Sequence, residues 1–258
     1  MRNVDEINIY IYKLWRSQCI KINENIPLPG FVREPTKRSI LFLGMNPSFN
    51  KDGYKSLLEK SKKEWIKNLD FNKFIHHDYN LNLKNTEILE LVEKVNEVDD
   101  AIGNGGHVYL KTLTEKIINK VGISPAVCNF WDIFCFRGNN QDEFLEKYIF
   151  NAIRGTKKDQ INFFGLKQII LLLKIIELCE PKVIVFPNKG AVDRLVEIFS
   201  LFGKEIGFNE RLGTHYIKIN GIKYPIFFSS NLHLRNRLDR YSQDRLGWHV
   251  KWVFNQVE

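Results

Sequence analysis

Ser39-Ile40-Leu41-Phe42-Leu43 runs without a break into Gly44-Met45-Asn46-Pro47-Ser48. The first five residues form an almost wholly apolar run bounded by loop residues, the pattern of a parallel strand covered on both faces. The next five hold a glycine that permits close backbone approach and a proline that stiffens the turn. Between them stands Asn46, whose amide both donates and accepts hydrogen bonds without carrying charge. Open α/β sheets bind ligands beyond the C-terminal ends of their strands, so this loop is the first candidate for chemistry.

Three further apolar runs complete the pattern: Ala126-Val127-Cys128-Asn129-Phe130, Lys182-Val183-Ile184-Val185-Phe186 and Tyr224-Pro225-Ile226-Phe227-Phe228. Amphipathic helices are predicted over about Val4 to Cys19, Tyr109 to Val121 and Ile161 to Cys179, the first packing against the sheet edge. Strand and helix alternate, which implies right-handed crossovers. The expected fold is α/β, a three-layer α/β/α sandwich around a central, mainly parallel four-stranded sheet. Asn220-Gly221 marks a hairpin turn before the last strand.

The 258 residues, 44% of them hydrophobic and including 19 Phe and 5 Trp, can bury one large core. A single domain over residues 1–258 is expected, with the lysine-rich stretch 51–104 as an insertion or lid. No apolar run is long enough to cross a bilayer, and the N-terminal residues lack the pattern of a secretory signal, so no membrane partner and a cytoplasmic location are expected. Cys19, Cys128, Cys135 and Cys179 show no Cys-x-x-Cys spacing, and His76-His77 has no second ligand pair. Neither a metal nor any other cofactor is therefore expected.

The net charge of +8 suits a polyanionic partner. From His233 to Lys251 the chain carries Arg235, Arg237, Arg240, Arg245 and Lys251, interleaved with Tyr241, Trp248 and the acids Asp239 and Asp244. That segment reads either as a contact for nucleic acid or as a solvated helix face.

Taken in order, these polar strand ends resemble the uracil-DNA glycosylase superfamily. Gly44-Met45-Asn46-Pro47-Ser48 is similar to the first motif of its single-strand-selective and mismatch-specific branches, with Ser48 in place of a closing glycine. The resemblance implies that Asn129 reads the edge of an extruded base. It also makes Pro181 through Gly190-Ala191 the penultimate strand and helix, although Pro187-Asn188-Lys189 departs from the usual pair. The last motif is Asn231-Leu232-His233 where members have His-Pro-Ser or Asn-Pro-Ser. Asn231 matches the asparagine variant, whereas a shifted loop gives the histidine role to His233. The cysteine spacing of the iron-sulfur branches is missing.

The implied activity is that of a monofunctional hydrolase in base-excision DNA repair, acting on single- or double-stranded DNA. Asn46 would orient water, Asn231 or His233 would donate to the departing base, and Gly44, Met45, Pro47, Ser48, Phe49, Tyr54 and Asn129 would form the base pocket, with Phe49 or Tyr54 stacking. Base flipping would be offset by Leu232 or Leu234 filling the vacated stack, with Ser229, Ser230, Arg235 and Arg237 on the DNA backbone. Two other classes fit the same residues: a catalytically silent nucleic-acid-binding protein on this fold, and an α/β enzyme acting on a free nucleoside or nucleotide.

Overall fold

Burial along the first predicted strand is complete, with Ile40, Leu41, Phe42 and Leu43 all at 2% exposure or less. Residues whose side chains alternate between two faces are all buried only when both faces of the sheet are covered. The computed structural model describes residues 3–45, 47, 51–104, 108–138, 141–151, 160–187, 192, 195–196, 199, 206–230, 232 and 238–257.

Among these, the helices are α1 (Val4–Ile22), α2 (Lys51–Leu58), α3 (Glu64–Lys67), α4 (Phe71–Ile75), α5 (Asn85–Asn104), α6 (Val108–Leu113), α7 (Asn119–Val121), α8 (Gln141–Phe144), α9 (Phe163–Cys179) and α10 (Arg240–Gln256). A π-helical segment, Thr114–Ile118, joins α6 to α7. The strands are β1 (Ile40–Gly44), β2 (Asn129–Asp132), β3 (Phe150–Asn151), β4 (Gln160–Ile161), β5 (Val183–Phe186), β6 (Ile206–Asn209), β7 (Thr214–Ile219) and β8 (Ile222–Phe228).

The described residues gather into two compact units, each drawn from three stretches of chain. One comprises Met1–Glu34, Asn46–His107 and Phe134–Leu171, the other Pro35–Met45, Val108–Ile133 and Leu172–Glu258, so the boundary passes through α9. In the first unit, α1 packs against α5. Asn8 of α1 exchanges two 2.8 Å hydrogen bonds with the backbone of Val32, and Trp15 Nε1 donates to the Ile26 carbonyl. Arg137, 4% exposed at its side chain, donates to both carboxylate oxygens of Asp99 on α5 and to the Leu28 carbonyl. Stretch 51–104 is thus tied into this unit by a partly buried ion pair in which Arg137 Nη2 donates to both oxygens of Asp99, whose carboxylate keeps some contact with solvent.

The second unit holds a six-stranded sheet in the order β2-β1-β5-β8-β7-β6. The first four strands are parallel neighbours, while β7 and β6 continue the sheet antiparallel. Four strands were expected and six are found. The hairpin β7–β8 turns on Asn220 and Gly221, both at positive φ, as a two-residue loop with right-handed strand twist requires. It delivers β7 to the free side of β8, where β6, a short strand with a glycine and little burial to betray it, adds on.

Ile40 and Phe42 of β1, Val183 and Val185 of β5 and Phe227 of β8 share one core with Leu113, Ile117, Ile118 and Val121 of the 108–121 helix and with Val250 and Val253 of α10. A Cβ at Gly247 of α10 would lie 2.4 Å from the Lys116 carbonyl, so glycine lets α10 cross the π-helical segment at close range. Leu41, Leu43, Ile184 and Phe186, on the other face, are also buried.

Candidate functional site

Strand order locates the site before any side chain is considered. From β1 the chain returns on one side as β2; from β5 it returns on the other as β8. Adjacent strands whose successors diverge make a topological switch point, and ligands of open α/β sheets bind in the crevice beyond the C-terminal ends there. Here those ends are Gly44 on β1 and Phe186 on β5. Ser229, just past β8, reaches the same edge and donates its backbone N–H to the Phe186 carbonyl at 3.0 Å.

Glycine is dictated at position 44 by what lies across the ladder. Gly44 pairs with Asp132 of β2, and a Cβ added to Gly44 would lie 2.0 Å from Asp132 Oδ1. The half-buried carboxylate therefore rests over the Gly44 α-carbon, and Ile133 N–H closes the ladder on the Gly44 carbonyl at 3.0 Å. An acidic side chain thus stands at the last rung of β1, and Gly44 beneath it lies two residues before Asn46 in the chain. Asp132 was not among the expected site residues. Its signal is the single acid in the otherwise apolar Phe130-Trp131-Asp132-Ile133-Phe134.

The expectation for Asn129 is corrected. Ala126 and Val127 belong to a 3₁₀ turn begun by Ser124, whose side chain accepts from Ala126 N–H, and by Pro125. The strand therefore starts at Asn129, opposite Leu41, and ends at Asp132, opposite Gly44. Asn129 stands at the N-terminal edge, about 10 Å from the last rung at 3.3 Å per residue. Its amide is committed locally: Oδ1 accepts from Thr36 N–H at 3.0 Å, and Nδ2 donates to the Thr36 carbonyl at 2.7 Å and to Ser39 Oγ at 3.0 Å. The amide is thus engaged with the chain that leads into β1, at the edge opposite the last rung.

Two further assignments change. Leu232, expected as a wedge into the DNA stack, is 3% exposed and sits in the core shared by β1, β5 and α10. Its carbonyl accepts from Gln243 Nε2 of α10, which also donates to the Leu238 carbonyl. Leu232 is therefore a core residue rather than an exposed side chain. Tyr54, expected as a stacking platform, is 6% exposed and meets Phe71 edge-on at 5.5 Å within the first unit's core.

Met45 is buried at 3%, as a residue turning off a core strand must be. The Pro47 carbonyl accepts from Gly138 N–H at 3.1 Å. Ser229 and Ser230 are half-buried, with Ser229 Oγ donating to the Ser230 carbonyl. Asn46, Ser48, Phe49, Asn231, His233, Leu234, Arg235 and Arg237 lie outside the described residues.

Burial pushes the thiols of Cys19 up to about 11 and of Cys128 and Cys179 up to about 12, so they stay protonated and unreactive at neutral pH. Among the described residues no group of three or more His, Cys, Asp or Glu is arranged to hold a metal ion, and no helix is long and apolar enough to cross a membrane. No protein-family model and no curated protein sequence matches this chain.

Proposed function

We propose that this chain is a DNA glycosylase of the uracil-DNA glycosylase type, hydrolysing the N-glycosidic bond of a uracil-like or modified base flipped out of DNA. One observation carries the reading. Gly44-Met45 and Ser229-Ser230, which precede Asn46 and Asn231 in the chain, leave parallel strands of one sheet at the same edge, at its switch point, with the Asp132 side chain on the neighbouring rung.

Breaking a glycosidic bond puts positive charge on the sugar and negative charge on the departing base, and needs a water on the opposite side of the anomeric carbon. Asn46 orients that water through its amide, which is too weak a base to take the proton. Asp132 supplies what the amide lacks: a fixed negative charge beside the cationic sugar, and an acceptor for the proton released as water bonds to C1′. The electrons of the C1′–N bond leave with the base. Asn231 donates to its developing oxyanion, with His233 as the donor if the loop is shifted by two residues.

The test is a panel of single- and double-stranded oligonucleotides carrying uracil, hypoxanthine, xanthine or a modified cytosine, scored for alkali-labile abasic sites. Excision of at least one base, reduced a hundredfold or more in Asn46→Ala while DNA affinity persists, is the expected result. Salt-sensitive DNA binding with no abasic product from any substrate would replace the enzyme with a nucleic-acid-binding protein. Hydrolysis of a free nucleoside without DNA binding would replace it with a nucleoside hydrolase.

A further inference from the structure

α10 buries one face in the core and leaves the opposite face open. Gln243, Gly247, Val250 and Val253 point inward. On the far side Tyr241, Arg245 and Trp248 are exposed at spacings of four and three residues, and Trp252, four residues further on, is partly buried and packs against the core, so that the row from Tyr241 to Trp252 is about 16 Å long. Tyr241 is 80% exposed and Trp248 62%, the two most exposed aromatic residues of α10. The Trp248 and Trp252 rings are parallel within 8°, their centroids 6.5 Å apart. Aromatic rings exposed along a helix of a chain with net charge +8 suit a partner that is both flat and anionic.

Charge along the stripe agrees. Arg240, Arg245 and Lys251 are exposed. Both acids of the segment are engaged within the protein: Asp239 caps the helix by accepting from Ser242 N–H, and Asp244 pairs with Lys120. That hydrogen bond from Lys120, with further attraction from Lys120, Lys116 and Arg240, holds the Asp244 carboxyl below its ordinary range. One carboxylate thus lies among three cations, and the flank of the stripe is positive.

We infer that the Tyr241–Arg245–Trp248–Trp252 face of α10 is a binding platform for single-stranded DNA, separate from the edge where bases are excised. Unpaired bases stack on the exposed rings while Arg240, Arg245 and Lys251 meet phosphates, the combination by which sequence-tolerant single-strand binders work. A paired duplex hides its base faces and gives the rings nothing to stack on, so the unpaired strand is the occupant. The choice of DNA over RNA rests on the glycosylase reading; the platform itself does not.

The experiment is anisotropy titration of the full-length protein with a fluorescein-labelled oligo(dT) lacking any excisable base, at two salt concentrations, for wild type, Tyr241→Ala, Trp248→Ala, Trp248→Phe and Arg245→Ala. Each alanine at a ring position should weaken binding by roughly 5- to 100-fold, with Trp248→Phe restoring most of it. Arg245→Ala should flatten the salt dependence by about one phosphate's worth. Equal affinity of wild type, Tyr241→Ala and Trp248→Ala would overturn the platform, as would tighter capture of oligo(rU) or a self-association in sedimentation that Trp248→Ala abolishes. Tyr241 and Trp248 are largely solvated, so unchanged melting temperatures show that a loss is local. Because the probe holds no excisable base, a protein that binds through α10 and excises nothing keeps this inference and loses the glycosylase.

Discussion

β1 and β2 form one short ladder, and its two ends use polar side chains in opposite ways. At the first rungs Asn129 spends its amide on Thr36 and Ser39, tying the incoming chain to the start of the sheet. At the last rung Asp132 lies against a residue that has no side chain at all. Both are polar residues on an edge strand four residues long, and composition does not tell them apart. The surroundings do. An amide enclosed by backbone donors and acceptors stabilises a turn, whereas the carboxylate at the switch point keeps its position only because the residue beneath it has no Cβ.

The most severe way to break the contrast is Asp132→Ala. Single-turnover excision of a base that the wild type releases should fall by about 10²–10³-fold, with DNA affinity and melting temperature close to wild type. Asp132→Asn, similar in shape but uncharged, should lose nearly as much; full activity in that variant would remove the charge from the mechanism. Next comes Gly44→Ala. The new methyl group forces the Asp132 carboxylate aside, and a displacement of about 1 Å at a reacting centre costs up to about a hundredfold. Equal rates for Gly44→Ala and wild type would separate the glycine from the chemistry.

Asn129→Ala sharpens the comparison from the other end. It removes three hydrogen bonds among partly solvated groups, so a loss of about 1–2 kcal/mol and a melting temperature lower by a few degrees are expected, with excision unchanged. A large loss of excision at full stability would return Asn129 to the site. The smallest effect is expected beside it. Cys128, raised to about 12 by burial, should react with a thiol reagent at pH 8 far more slowly in the native protein than after unfolding, and its slow labelling should leave excision intact.

Interior strands were legible in the sequence because burial on both faces writes itself as an unbroken apolar run. Ser39 to Leu43 and Lys182 to Phe186 coincide with β1 and β5 to within a residue at each end. β2 was misphased for the complementary reason. It is an edge strand in which Phe130 is 39% exposed, so its pattern is mixed, and the apolar Ala126-Val127-Cys128 before it mimics a strand while forming a proline-initiated turn. A shift of two or three residues was enough to exchange the strand-end residue, putting Asn129 where Asp132 stands. The Asn220-Gly221 turn was legible from its dipeptide, but β6 and the ion pair of Arg137 with Asp99 depend on partners far away in sequence, which local pattern cannot reveal.

The sheet also dictates an order of assembly. β7 and β8 are joined by two residues and can zip from Asn220-Gly221 on the timescale of an isolated hairpin, about 1–10 μs. Leu41 meets Asn129, and Ile40 meets Val183, only after loops of roughly 90 and 140 residues have closed, and the first of these contains the whole of stretch 51–104. Parallel pairing across such separations is slow. The rung that brings Asp132 over Gly44 therefore joins late, on a scaffold whose hairpin has already formed. Substitutions there should change the unfolding rate while leaving the folding rate nearly untouched.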